Sequence, residues 1–173
     1  LYRVRPSDWL NLRGNDEYRR SRWRDIYRQM IFHIDELLMF GQRFENVELQ
    51  AQPGAGGWEI EVESELANGE LTVPFEFSQK IPITLDMDRL LLMEPDRGDF
   101  GTTDPRTLPP IQAKIAEFAI GDVQFGALEA SVVSVSQGLQ TEKLELTGDS
   151  YTVTGAGAWL VIEGTQRSRL QLS

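Results

Sequence analysis

The 173-residue sequence contains no cysteine and a single histidine, His33. Without cysteine there is no disulfide framework and no thiolate metal site, and a lone imidazole excludes zinc sites built from several His or Cys. Basic residues are scarce: 17 Lys and Arg stand against 27 Asp and Glu, a formal net charge of -10. That balance argues against nucleic acid as the main partner, because phosphate binding draws on surplus Lys and Arg. No apolar run approaches the ~20 residues of a membrane span, and no signal-peptide pattern opens the chain. Nucleophile motifs of the Gly-x-Ser-x-Gly kind are missing. Gly155-Ala156-Gly157 lacks the third glycine of a phosphate loop, and alternation resumes at Trp159, so it reads as a turn. The sequence therefore predicts neither a catalytic set nor a cofactor, and we expect no enzyme.

What is present is enough to build a core. Hydrophobic residues make up 40% and charged residues 25%, a globular rather than a disordered composition. The charge is uneven. Eight of the basic residues (Arg3, Arg5, Arg13, Arg19, Arg20, Arg22, Arg24 and Arg28) and only four acids fall within positions 1–28, leaving +4 there and -14 on the rest. A solvated Arg-rich surface is the plain reading of 13–28, and contact with anionic lipid headgroups the more specific one. The chain opens Leu-Tyr-Arg-Val-Arg without Met and stops within the strand-like alternation of Ser168 to Ser173. We therefore expect an excerpt of a longer protein, with any membrane contact made by regions outside it.

Residues 1–29 read as a lead-in with at most one or two short helices. Ser7 and Gly14 would cap and stop one turn over 7–13, and Trp23, Ile26, Tyr27 and Met30 fall at helical spacing in 15–28. From residue 30 on, two-residue alternation dominates. Val47, Leu49 and Ala51 alternate with polar residues, as do Trp58, Ile60 and Val62. The same holds for Leu71, Val73, Phe75 and Phe77, and for Ile81, Ile83, Leu85 and Met87. Each run places apolar side chains on one face of a strand. Pro53-Gly54-Ala55-Gly56-Gly57, Asn68-Gly69 and Gly148-Asp149-Ser150 read as turns between strands. A loop rich in Pro, Gly and Asp over 94–110 separates a first unit, 30–93, from a second, 111–173. A shift of 81 positions lays Ile34 on Ile115, Leu37 on Phe118, Met39 on Ile120, Phe44 on Phe125, Val47 on Leu128, Gly57 on Gly138 and Trp58 on Leu139. This predicts a repeat of about 80 residues, each unit several antiparallel strands.

The inward faces carry about two dozen large apolar residues, each worth ~1.5–3 kcal/mol when buried. A second sheet, packed helices or an apolar ligand must cover such a face. Helices are nearly lacking, which leaves a closed β-sandwich serving as an interaction or adhesion module, or a curved sheet forming an open hydrophobic groove. For the groove, the expected lining residues are Trp58, Ile60, Val62, Leu71, Val73, Phe75, Ile83, Leu85 and Met87. Polar residues offer less. His33 sits among Ile31, Phe32 and Ile34 and reads as strand packing. Glu59, Glu61, Glu63 and Glu65, and Asp86 with Asp88, read as a solvated outer face, although paired carboxylates acting on a glycan are a third possibility. Asp96, Asp99 and Asp104 match no calcium-loop spacing.

Several of these segments carry a resemblance. Asp104-Pro105-Arg106-Thr107-Leu108-Pro109 is followed by a strand through Ile115, Phe118 and Ile120, then by Phe125-Gly126-Ala127-Leu128, Gly138-Leu139 and Leu144-Glu145-Leu146. Tyr151 to Trp159, containing Gly155-Ala156-Gly157, completes the run. The first half echoes it with Ile34, Leu37, Gly41, Gly57-Trp58, Ile83, Leu85, Asp86 and Leu90, and Asp8-Trp9-Leu10 adds a looser match upstream. This pattern resembles the repeat unit of the YhdP branch of AsmA-like proteins. The resemblance implies a segment of a long periplasmic protein anchored in the inner membrane of a Gram-negative envelope. Its stacked repeats would form a hydrophobic β-groove conducting phospholipids toward the outer membrane and supporting the permeability barrier. Acyl chains and neighbouring repeats are the implied partners. The family's motifs are structural, so no residue-level lipid site transfers with them.

Overall fold

The computed structural model describes residues 29–39, 42–76, 81–93 and 104–173. The helices expected over 7–13 and 15–28, the Arg-rich stretch, Gly41, Phe77, Asp96 and Asp99 lie outside the described residues.

Ten strands follow one another: β1 (Met30–Met39), β2 (Gln42–Pro53), β3 (Gly57–Glu63), β4 (Ala67–Pro74), β5 (Ile83–Leu92), β6 (Ile111–Ile120), β7 (Val123–Val135), β8 (Gly138–Gly148), β9 (Tyr151–Ile162) and β10 (Thr165–Leu172). They form a single sheet in sequence order, β1 at one edge and β10 at the other. The sheet is not closed, and among the described residues no second sheet and no α-helix packs on it. One 3₁₀ turn, Pro105–Thr107, precedes β6. The expected all-β, open architecture is what forms. The strands are antiparallel except at one joint, where β5 and β6 run parallel with Met87 beside Ile115 and Leu90 beside Phe118. Parallel neighbours require a crossover rather than a hairpin, which accounts for the long connection over 94–110.

Strand starts fall 81 positions apart in the two halves: Met30 and Ile111, Gln42 and Val123, Gly57 and Gly138. β3 and β4 have 7 and 8 residues, whereas β8 and β9 have 11 and 12. The first unit thus has a short central hairpin. It turns at Ser64–Leu66, where the Ser64 amide donates to the Ala67 carbonyl at 2.8 Å and the Ser64 hydroxyl accepts from the Ala67 amide at 3.0 Å. Asn68-Gly69 is not the turn. It lies inside β4, where the register to β5 slips by one residue. Gly155-Ala156-Gly157, read as a turn from the sequence, lies within β9 and pairs with both neighbouring strands.

Two-residue alternation is interrupted in most strands by a three-residue step. Ile34 and Leu37, Phe44 and Val47, Met87 and Leu90, and Ile115 and Phe118 all pack in or against one core cluster although each pair has opposite parity. In β2 the step is made by Asn46, whose φ of 49° lies in the left-handed region that Asn tolerates. In β7 Gly126 does the same with φ 77°, and a Cβ there would strike the Thr147 carbonyl oxygen. The steps lie side by side, Ile34 opposite Val47 and Leu37 opposite Phe44, then Met87 beside Ile115 and Leu90 beside Phe118. Bulges bend strands and raise local twist, so aligned bulges fold the sheet along a line crossing the strands.

The fold closes on itself at one place. Gln42, in β2, is three strand positions from Met93 at the end of β5, a separation of ~14 Å in a flat sheet. Its side-chain amide nevertheless donates to the Met93 carbonyl at 3.1 Å and accepts the Met93 amide at 2.7 Å. The short β3–β4 hairpin stops below this level, so β2 and β5 converge over its tip. Phe44, Val47, Ala67, Met87 and Ile115 fill the space beneath and are 2–6% exposed.

Candidate functional site: an apolar trough

Strand register assigns every described side chain to a face. Leu49, Val62, Gly69 and Met87 form one cross-strand row, and Ala51, Ile60, Leu71 and Leu85 the next. Both continue through β6 and β7, as Ile115 beside Leu128 and Ala113 beside Ala130. They reach β8 and β9 as Leu146 beside Val153 and Leu144 beside Gly155. On this face, from β1 to β10, the described strands carry no charged side chain. The polar exceptions are Gln42, Ser134, Thr141, Gln166 and Ser168. Gln42 is consumed by Met93, and Gln166 accepts from the Trp159 indole N–H at 3.3 Å.

The nine residues expected to line a groove all fall on this face, and burial divides them. Met87 is 4% exposed and belongs to the closed core, against which Val62, Leu71 and Leu85 are packed. Trp58, Ile60, Val73, Phe75 and Ile83 lie outside that cluster and are half-buried. Trp58 and Phe75 meet edge-to-face with centroids 5.8 Å apart, an arrangement aromatic quadrupoles favour. These five side chains are apolar and partly open to solvent, and they are the candidate wall of a trough. At the β10 edge Leu170 and Leu172, also on this face, are 61% and 57% exposed.

The opposite face is acidic. Glu61, Glu70 and Asp86 stand directly across from one another on β3, β4 and β5, and Lys114, Glu129 and Glu145 continue the row. Lys143 lies 2.8 Å from Glu129 and 3.9 Å from Glu145. A hydrogen bond from Lys143 holds the Glu129 carboxyl below its ordinary range and, in return, raises the lysine. Arg43 pairs with Glu36 and Arg89 with Glu117, each at 3.0 Å. The carboxylates that could be paired for acid–base work lie on this face, where Glu59, Glu61 and Glu70 help line an open depression with Gln50, Gln52 and Thr72. His33, whose side chain is 75% exposed, faces Glu48 at 3.4 Å on the same surface. Among the described residues no group of acids and histidines is placed to hold a metal.

One feature of the trough was not legible in advance. The Asp104–Pro110 elbow lies on the apolar side of the second unit. Asp104 accepts from the Arg106 backbone amide at 3.0 Å, and the Arg106 guanidinium grips its carboxylate at 2.6–3.0 Å. That grip holds the Asp104 carboxyl below its ordinary value. Pro105 is fully buried, the turn packs against β8 and β9, and the Ser134 hydroxyl donates to the Leu108 carbonyl at 3.1 Å. Asp-Pro-Arg is visible in the sequence, but only the register shows that Ser134 faces the apolar side.

The described residues thus form a single open sheet with an uncharged apolar face and an acidic back. The family model described as YhdP protein matches residues 5–173, and the chain belongs to that family. No curated protein and no solved structure matches the chain. Among the described residues no helix is long and apolar enough to cross a membrane.

Proposed function

We propose that this segment is a length of a phospholipid-carrying groove in a cell-envelope protein that spans the periplasm between the inner and outer membranes. Movement of lipid along it would support the outer-membrane permeability barrier. The observation that carries this reading is the apolar face, uncharged across all ten strands and half-exposed along the wall of Trp58, Ile60, Val73, Phe75 and Ile83. Leaving that wall wet forfeits ~25 cal/mol for each Å² of apolar surface. Acyl chains recover that free energy without any directional contact, which matches a face bearing no headgroup-binding cation. The acidic back disfavours anionic headgroups, so a phospholipid is held by its tails with its headgroup at the open mouth.

The closed two-sheet arrangement open at the level of sequence is not what forms among the described residues. Mass spectrometry of organic extracts from the purified segment tests the proposal. Phospholipid co-purifying with the protein supports it. Protein that is folded and lipid-free after expression in a phospholipid-rich host contradicts it.

A further inference from the structure

The two units treat the same place on the apolar face differently. In the first, Pro53, Trp58 and Val73 form a cross-strand row on β2, β3 and β4. In the second, 81 positions on from Pro53 and Trp58, Ser134 and Leu139 continue the pattern, and Trp159 completes the row on β9. Trp58 and Val73 are half-buried. Leu139, in the equivalent position to Trp58, is 8% exposed.

The difference is made by the chain's own crossover. Ser134 is one of the few polar residues facing the trough, and its hydroxyl is used to hold the Leu108 carbonyl. The 3₁₀ turn with its buried Pro105 packs against β8 and β9, the strands of Leu139 and Trp159. The elbow is preformed by Asp104 and Arg106, whose bonds run within it and not to the sheet. Its other end is pinned where the Ile83 amide donates to the Pro110 carbonyl at 2.9 Å. A mostly apolar segment, tied to the trough floor by a single side-chain hydrogen bond, therefore lies over β8 and β9 at Leu139, the position at which Trp58 of the first unit stays half-open among the described residues.

We propose that the Asp104–Pro110 elbow is a strap occupying an acyl-chain place in the second unit, and that lipid chains compete with it for the surface at Ser134 and Leu139. The inference rests on the lipid-groove reading and assigns a second acyl subsite with a built-in competitor. Burial of Pro105 holds the strap down, and only the Ser134 bond adds direction. Releasing the strap exposes Leu139 to the same chains that reach Trp58.

Tryptophan quenching by a phosphatidylcholine with brominated acyl chains tests this. The full 173-residue chain is prepared in two forms, one keeping only Trp58 and the other carrying Leu139→Trp as its single tryptophan, with the remaining tryptophans replaced by Phe. Trp58 is expected to be quenched in the unaltered strap background, and the indole of the Leu139→Trp form to be protected. Ser134→Ala removes one neutral hydrogen bond and should raise the population in which that indole is quenched about fivefold. Asp104→Asn, which loosens the elbow without touching the sheet, should act in the same direction. An indole at the Leu139→Trp position quenched as deeply as Trp58 before either further substitution would overturn the proposal, and so would one still protected in both variants while Trp58 is quenched. Quenching of neither tryptophan would remove the lipid-groove reading and the strap with it.

Discussion

Gln42 pairs with Met93 as a strand would: its side-chain amide offers one donor and one acceptor to the two backbone groups of a residue three strands away. The short β3–β4 hairpin leaves both strand ends without a neighbour on the hairpin side, β1 and β6 pairing their other sides, and one side chain substitutes for the missing ladder. Gln42 is itself 8% exposed, so its amide has no ready alternative in water. Gln42→Ala is expected to cost ~1–3 kcal/mol, the range for stranding a buried polar group. Gln42→Glu, which keeps the acceptor and loses the donor, should cost about as much. Hydrogen exchange at the Met93 amide checks the assignment: it should accelerate in Gln42→Ala while amides in β8 and β9 do not change.

The division of the nine apolar candidates into core and wall gives a second expectation. Met87→Ala and Ile115→Ala remove side chains that are 4% and 3% exposed, and each should lower the unfolding free energy by ~2–5 kcal/mol. Ile60→Ala on the open wall should cost less than half as much, because part of that side chain is already in water. Urea unfolding with equal m-values measures both. Equal losses at the two places would mean the wall is ordinary core.

Gly138 opens β8 with φ 147°, and a Cβ there would strike the Trp159 carbonyl oxygen. Both strain and overlap oppose a side chain, so Gly138→Ala should destabilise by ~1–3 kcal/mol. Gly56, with open space around its Cβ direction and no positive φ, supplies the contrast: Gly56→Ala should stay within ~0.5 kcal/mol of the parent. Thermal unfolding of the two variants side by side decides the matter.

The Asp104 carboxyl is held down chiefly by the hydrogen bond from the Arg106 side chain. A carboxyl depressed in the folded state contributes fully above its unfolded pKa, and the contribution fades as pH falls through the folded value. The elbow clamp should therefore persist at neutral pH and release only below the ordinary carboxylate range. Carbon NMR titration of the Asp104 carboxyl should give a higher pKa in Arg106→Gln than in the parent. No difference would show that the guanidinium is not what lowers it.

Much of the sheet could be read from alternation, because a strand with one face in water and one in oil must repeat every two residues. The outward glutamates and the inward Trp58, Ile60 and Val62 are placed as that rule requires. What alternation hides are its own exceptions. Ile34 with Leu37 and Phe44 with Val47 violate the two-residue period, yet these are the same positions that the 81-residue shift aligns with Ile115, Phe118, Phe125 and Leu128. The repeat shows through the residues that bend the sheet, although the sequence does not say that they bend it. Asn68-Gly69 and Gly155-Ala156-Gly157 look like turns for a related reason. Small, turn-favouring residues also serve where neighbours need room: the Leu144 and Leu172 side chains lie where a Cβ of Gly155 would be, at 2.8 and 2.9 Å. The split between core and wall, and the strap over Leu139, depend on contacts made across strands far apart in sequence, which no local pattern carries.

A lipid groove requires that acyl chains meet the apolar face and not the acidic one. Val73 lies on the open wall, and Gln112 is exposed on the opposite face between the uncharged Thr84 and Ser131. Phospholipid bound per chain, measured on folded Val73→Asp and Gln112→Asp proteins, separates the two sides with the same added charge. Loss of lipid in Val73→Asp, with Gln112→Asp matching the parent, is the expected result; full retention in Val73→Asp would contradict the groove.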